Sequence, residues 1–189
     1  KKRLKVTYKN ETTDEVIIAD AGEVVNLRKG DRYQIVTNSD KGYAYAFKSM
    51  VAQETGQAEH GPLHVSLPVA PLVLGAKLTL NHIYFQTNSA ELSEASALEL
   101  NTIVQLLQKN PQITIEISAH SDDVGSDDYN LNLSQKRASG VTDYLKKQGI
   151  PATQLVAKGY GKTHPVVPND TDENRAKNRR VELLVLKVN

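Results

Sequence analysis

The chain has 189 residues, 39% of them apolar and 24% charged, which is enough for one large domain or two small ones of a soluble globular type. A net charge of +1 argues against a dedicated nucleic-acid binder and gives no case for an acidic or anionic-membrane partner. With no cysteine, disulfides, thiolate metal sites and cysteine nucleophiles are excluded.

The chain opens on Lys1, which is not a natural start, so the expectation is a mature fragment whose anchor and export signal lie outside it. No apolar run approaches the roughly 18–20 residues of a membrane helix, and no signal peptide is visible. Residues 1–67 read as β. Leu4, Val6 and Tyr8 alternate, Val16, Ile17 and Ile18 form a short apolar run, and Val24, Val25 and Leu27 precede a turn at residues 28–31. Tyr33, Ile35 and Val36 follow, then a turn at 38–42, the alternating Tyr43, Tyr45 and Phe47, and finally Leu63, Val65 and Leu67. Short strands between Gly and Asp turns predict a small antiparallel β-sandwich. The Tyr43, Tyr45 and Phe47 stripe suits core or edge packing better than a ligand platform. Residues 56–61 read as an exposed loop.

Residues 68–75, with two prolines in apolar company, predict an extended connector whose Val69, Leu72, Val73 and Leu74 pack against a domain. The domains so divided are 1–75 and 76–189. The second opens with a strand over 78–86. Ser89 or Ser93 caps the next helix, whose face is Leu100, Ile103, Val104 and Leu107, and Asn110-Pro111 stops it. Further strands are expected at 155–159 and 181–186, with a short helical turn at 172–178. Alternating β and α elements, with a last strand able to pair antiparallel, predict an α+β fold: a mixed sheet covered by helices, behind the N-terminal sandwich.

The most informative stretch runs from 113 to 144. Ile113, Ile115, Ile117 and Ala119 alternate with Thr114, Glu116 and Ser118, as in a strand with one face in a core. A polar loop follows through Asn132. Ser134 is expected to cap a helix with the face Ala138, Val141 and Leu145, and Gly149 to end it. Arg137 then falls in the first turn, where the helix dipole disfavours a cation and a partner is called for. Asp122 lies 15 positions earlier, just past the strand. Together they suit a zwitterion, the arginine fork taking a carboxylate and the aspartate an ammonium. The plainer alternative is a turn aspartate and a solvated helix arginine.

The pattern A-H-S-D-x-x-G-S-x-x-Y-N-x-x-L-S-x-x-R-A-x-x-V-x-x-Y-L over 119–145 resembles the signature of the OmpA-like peptidoglycan-binding domain. The family form opens G-H-T-D; here Ala119 and Ser121 replace the glycine and threonine. Residues 83–92 (I-Y-F-Q-T-N-S-A-E-L) are similar to its opening strand, with Gln86 where the family commonly has aspartate. Gly159-Tyr160-Gly161, Pro165, Asn169, Asn174-Arg175-Ala176 and the run Asn178, Arg179, Arg180, Val181 and Glu182 look like its closing motifs. In residues 27–43, L-R-K-G-D-R-Y-Q-I-V-x(5)-G-Y is similar to a carboxypeptidase-regulatory-like module.

The resemblance implies a non-catalytic module in the periplasm, associated with the outer membrane and wall, that binds the diaminopimelate of a peptidoglycan stem peptide. On that expectation Arg137 takes a ligand carboxylate and Asp122 the ammonium. Amides of Ser121, Asp123, Val124 and Gly125 take the remaining carboxylate oxygens. Thr87 and Asn88 form the opposite lip, Leu133 meets the ligand's methylenes, and Arg179 lines the pocket. The domain order also resembles envelope proteins of Bacteroidetes such as the PorE-like component of type IX secretion, which implies envelope or secretion-complex partners. Membrane association would come only through missing parts or partners. The competing class is a protein-interaction scaffold.

No cofactor is expected, because phosphate and dinucleotide glycine motifs are absent. No metal is expected either: there is no HExxH, and Asp122, Asp123, Asp127 and Asp128 do not match the calcium-loop spacing. His120 is expected to hold its loop through a hydrogen bond, while His60 and His64 sit in a segment broken by Gly and Pro. Arg175, Arg179 and Arg180, interleaved with Glu173 and Glu182, read as an ion-pair set.

Overall fold

The computed structural model describes residues 5–38, 44–45, 47–51, 70–80, 83–86 and 89–188, which fall into two compact units, Lys1–Leu72 and Val73–Asn189. In the first, β1 (Lys5–Asn10), β2 (Val16–Asp20), β3 (Arg32–Asn38) and β5 (Phe47–Val51) form an antiparallel sheet in the order β2-β1-β3-β5. A two-residue pair, β4 (Ala44–Tyr45) with β6 (Ala70–Pro71), lies apart from it. Period-two alternation puts Val6, Ala19, Tyr33 and Ile35 on the buried side and leaves Ile18 exposed on the other. Asn10 is the polar anchor of this unit. Its amide donates to Asp31 and Tyr33, and its oxygen accepts from the Thr12 and Thr13 N–H groups in the β1–β2 turn.

Several expectations for this unit differ from the structure. Val24, Val25 and Leu27 form no strand, and Val24 is exposed, because β-propensity without a neighbouring ladder makes no strand. The aromatic stripe is divided, Tyr45 ending β4 and Phe47 beginning β5. Tyr43, residues 56–61, the strand at 63–67, His60, His64 and His82 lie outside the described residues. Leu72 is buried as expected, but Val73 and Leu74 are exposed.

The second unit contains β7 (Lys77–Leu80), α1 (Ala97–Lys109), β8 (Ile113–Ala119), α2 (Asp127–Lys147), β9 (Leu155–Gly159), α3 (Asp172–Asn178) and β10 (Val181–Val188). Its sheet runs β7-β10-β8-β9, with β8 and β9 parallel and β10 antiparallel to both β7 and β8. This is the mixed α+β sheet expected. β8 and β9 are joined through α2, the usual helical crossover between parallel strands. Leu100, Ile103 and Leu107 of α1, Ile113, Ile115 and Ile117 of β8, Val141 and Leu145 of α2, and Leu183 of β10 are fully buried. They form the apolar layer between sheet and helices.

Of the strand expected over 78–86, the described residues show Lys77–Leu80 as a strand and Phe85 in an isolated bridge with Leu92. Ser93, not Ser89, caps the short 3₁₀ turn (Glu94–Ser96) leading into α1.

Helix α2 is capped eight residues before the expected cap. Ser126 is its N-cap, accepting from the Tyr129 N–H, with Asp127 and Asp128 in the first turn. Ser134 lies inside the helix. Its buried hydroxyl donates to the Leu131 carbonyl and accepts from the Gly161 N–H. The C-terminus is as expected. Gly149 has φ +86°, the Gly149 N–H donates to Lys146 and the Ile150 N–H to Leu145, which is a Schellman close. The helix presses closely on the end of β9: a Cβ on Gly159 would clash with the Gln135 backbone. Among the described residues, no helix is long and apolar enough to cross a membrane.

Candidate functional site

The chain leaving β8 is stitched to both neighbours. The His120 N–H donates to Arg180 and the Ser121 N–H to Gly161, each at 2.9 Å. This delivers Asp122 to the carboxyl end of the parallel pair, where sheets of this kind leave their loops free to form sites. Asp122 is buried, yet both its oxygens are engaged. Oδ1 accepts from the Val124 N–H at 3.1 Å, closing an Asx-type turn, and Oδ2 accepts from Arg179 Nη1 at 2.6 Å. Thus Asp122 is a turn residue and an ion-pair partner at once.

Arg179 is aimed by the residue before it. Asn178 is fully buried and makes four hydrogen bonds. Its Oδ1 accepts from the Val166 and Val167 N–H groups, and its Nδ2 donates to the Val167 carbonyl and to Asn169. Arg175 donates to the Asn169 carbonyl at 2.8 Å and pairs with Asp172. Arg180 pairs with Glu182 at 2.6 Å. The three arginines are therefore an ion-pair set, with Asp172 rather than Glu173 as the partner of Arg175.

Arg137 is not in a first helical turn. Since α2 starts at Asp127, it sits mid-helix, and the helix-dipole argument for a partner does not apply. Other contacts distinguish it. Its Nε donates to the Ser89 carbonyl at 3.0 Å, and its guanidinium lies 5.0 Å from the Phe85 ring centroid. Its outer nitrogens donate to no described acceptor. Burial pulls its pKa below the ordinary arginine value, while Tyr129 and Asp122 oppose the shift and Arg179 adds to it. Asp122 and Arg179 thus both act on the charge of Arg137.

Some expected loop roles are already filled. The Ser121 N–H is spent on Gly161 and the Val124 N–H on Asp122, so neither is free for a ligand. Asp123 and Gly125 are exposed, and their amides donate to no described acceptor. Val124 is 63% exposed and Leu133 half-buried. Thr87 and Asn88 lie outside the described residues. The loop is held by Asn130, whose amide donates to the Val124 carbonyl, and by Lys162, which pairs with Asp127 at 2.6 Å.

His120 does not hold the loop through its ring. Both ring nitrogens are buried with no hydrogen-bond partner among the described residues, and Nε2 lies 3.7 Å from Glu182. The ring stacks on Tyr160 with centroids 5.1 Å apart. Burial, reinforced by Arg180, His164 and Lys77 and opposed by Glu182, lowers its pKa to about 4. Among the described residues, no group of three or more His, Asp and Glu could hold a metal ion.

A family model described as the OmpA family matches residues 84–179, just over half of the chain. The "Probable lipoprotein YiaD" of Escherichia coli is 35% identical over 103 residues, covering 54% of this chain and 47% of that protein. The "Peptidoglycan-binding protein ArfA" of Mycobacterium bovis is 37% identical over 132 residues, covering 69% of this chain and 40% of that protein. Among solved structures, the peptidoglycan-associated lipoprotein of Burkholderia pseudomallei is similar with a TM-score of 0.52 and 33% identity, covering 55% of this chain and 87% of that one. This chain spans less than half the length of these two curated relatives.

Proposed function

The chain belongs to the OmpA family, and from that premise we propose that its second unit is a non-catalytic module that binds cell-wall peptidoglycan and so ties its parent protein or complex to the wall. The observation that carries this is Arg137. Its guanidinium is held by Phe85 and Ser89, its outer nitrogens donate to no described acceptor, and the buried carboxylate of Asp122 acts on its charge. An arginine fork with no described acceptor and a carboxylate that acts on its charge suit a zwitterion. The names of ArfA and of the Burkholderia lipoprotein, both tied to peptidoglycan, support the same reading.

The ligand we propose is the stem-peptide diaminopimelate, its carboxylate on Arg137 and its ammonium on Asp122. The Asp123 and Gly125 amides take the remaining carboxylate oxygens, Leu133 meets the methylenes, and Thr87 and Asn88 form the far lip. We read 1–75 as a carboxypeptidase-regulatory-like β-sandwich with its linker and 76–189 as the binding domain. The setting is the periplasm at the outer membrane, with an envelope complex such as type IX secretion as partner. One stem need not bind tightly, since a wall offers many and tethered copies gain by effective concentration.

Calorimetry with a diaminopimelate-containing tripeptide stem and its lysine counterpart tests this. A charge-assisted hydrogen bond contributes about 1.5–3 kcal/mol, so removing either charged partner should weaken the first ligand by roughly ten- to a hundredfold. Equal affinity for both stems would overturn the diaminopimelate assignment.

A further inference from the structure

Asp122 and Arg137 present themselves differently in the free protein. Arg137 is fixed, and its outer nitrogens donate to no described acceptor. Asp122 is taken: Arg179 sits on one oxygen at 2.6 Å, the Val124 N–H on the other, and only 11% of its side chain is exposed. Arg179 is 47% exposed, and its side chain has no other described partner. The site therefore offers a fixed cation, a covered anion and a second cation free to swing.

We infer that Arg179 is a specificity gate on Asp122, admitting an ammonium only when a carboxylate arrives with it. This rests on the zwitterion reading above for the ligand but makes its own claim. A carboxylate docking on Arg137 also draws Arg179 toward it. Asp122 is thereby uncovered, and the adjacent ammonium replaces the guanidinium. Charge pairs are exchanged and none is left unpaired. An amine without a neighbouring carboxylate must break the Asp122–Arg179 pair and brings the guanidinium no carboxylate in exchange. The gate thus selects an amino-acid zwitterion against a lysine-like amine, beyond what Asp122 and Arg137 would do alone.

The test uses the 189-residue chain, with binding read from the Val124 and Gly125 amide resonances. The probes are meso-diaminopimelate and Nα-acetyl-lysinamide, which has the amine alone. Arg179→Gln should bind the lysinamide at least tenfold more tightly than wild type, and the ratio of the two affinities should fall at least tenfold. Arg179→Lys, which keeps a cation, should retain the wild-type ratio. In the wild type, rotation of the Arg179 guanidinium, slowed by Asp122, should change as diaminopimelate saturates. An unchanged lysinamide affinity in folded Arg179→Gln, or an unchanged Arg179 signal at saturation, overturns the gate. If wild type ignores diaminopimelate, the ligand reading falls and the gate with it; if wild type binds diaminopimelate but folded Arg179→Gln gains no lysinamide affinity, the gate alone falls.

Discussion

Asp122 and Arg179, 57 positions apart, meet at 2.6 Å and join the loop after β8 to the turn before β10. The pair is possible because two neighbours act as fasteners. Ser121 ties the first loop to Gly161, and Asn178 ties the second to residues 166–169. The rim is thus held by buried polar bonds, which are costly to break singly.

Asn178→Ala removes four hydrogen bonds at a fully buried position. A stability loss of about 3 kcal/mol is expected, since the stranded groups keep their desolvation penalty. Urea unfolding measures it. A loss below about 1 kcal/mol would show that the loop satisfies those groups otherwise.

Ser126 and Ser134 separate two accounts of where α2 begins. Ser126→Ala should cost about 1 kcal/mol as a lost N-cap and speed hydrogen exchange in the first turn. Ser134→Ala should cost about 1–3 kcal/mol by stranding the buried Gly161 N–H, without fraying that turn. The opposite pattern of exchange would restore the later start.

His120 gives stability a pH dependence with a defined sign. Its folded pKa is about 4 against an ordinary 6.5, so between those values the unfolded chain holds a proton that the folded chain does not. Stability falls as pH drops through that window, by up to about 1.4 kcal/mol per unit, and this contribution levels off below it. His120→Phe keeps the stack on Tyr160 and removes the titration. Denaturant unfolding at several pH values should show a shallower acid loss in the variant. Parallel curves would contradict the assignment.

Much of the second unit is legible from one sequence. The alternation of Ile113, Ile115 and Ile117 announces β8, and Gly149 announces the end of α2. The start of α2 was obscured because its first turns carry Asp127, Asp128, Asn130 and Asn132 and no apolar stripe. The cap signal of Ser126 followed by two acids was nevertheless present. The sequence suggests a helix-end position for Arg137 that it does not occupy; Phe85 and Ser89, which hold it, are distant in sequence. The Asp122–Arg179 pair has no local signature either. Asn178 is visible in the sequence only as part of a motif, whose physical task appears once its four hydrogen bonds to Val166, Val167 and Asn169 are known.

The most direct test of wall binding is sedimentation with purified sacculi, wild type beside Asp122→Ala and Arg137→Ala, each checked for folding by circular dichroism. The account predicts that wild type sediments with the wall, releases no soluble muropeptides, and that both folded variants remain in the supernatant. If all three sediment alike, the wall contact lies away from Asp122 and Arg137. If wild type itself stays soluble, wall binding by this chain is contradicted.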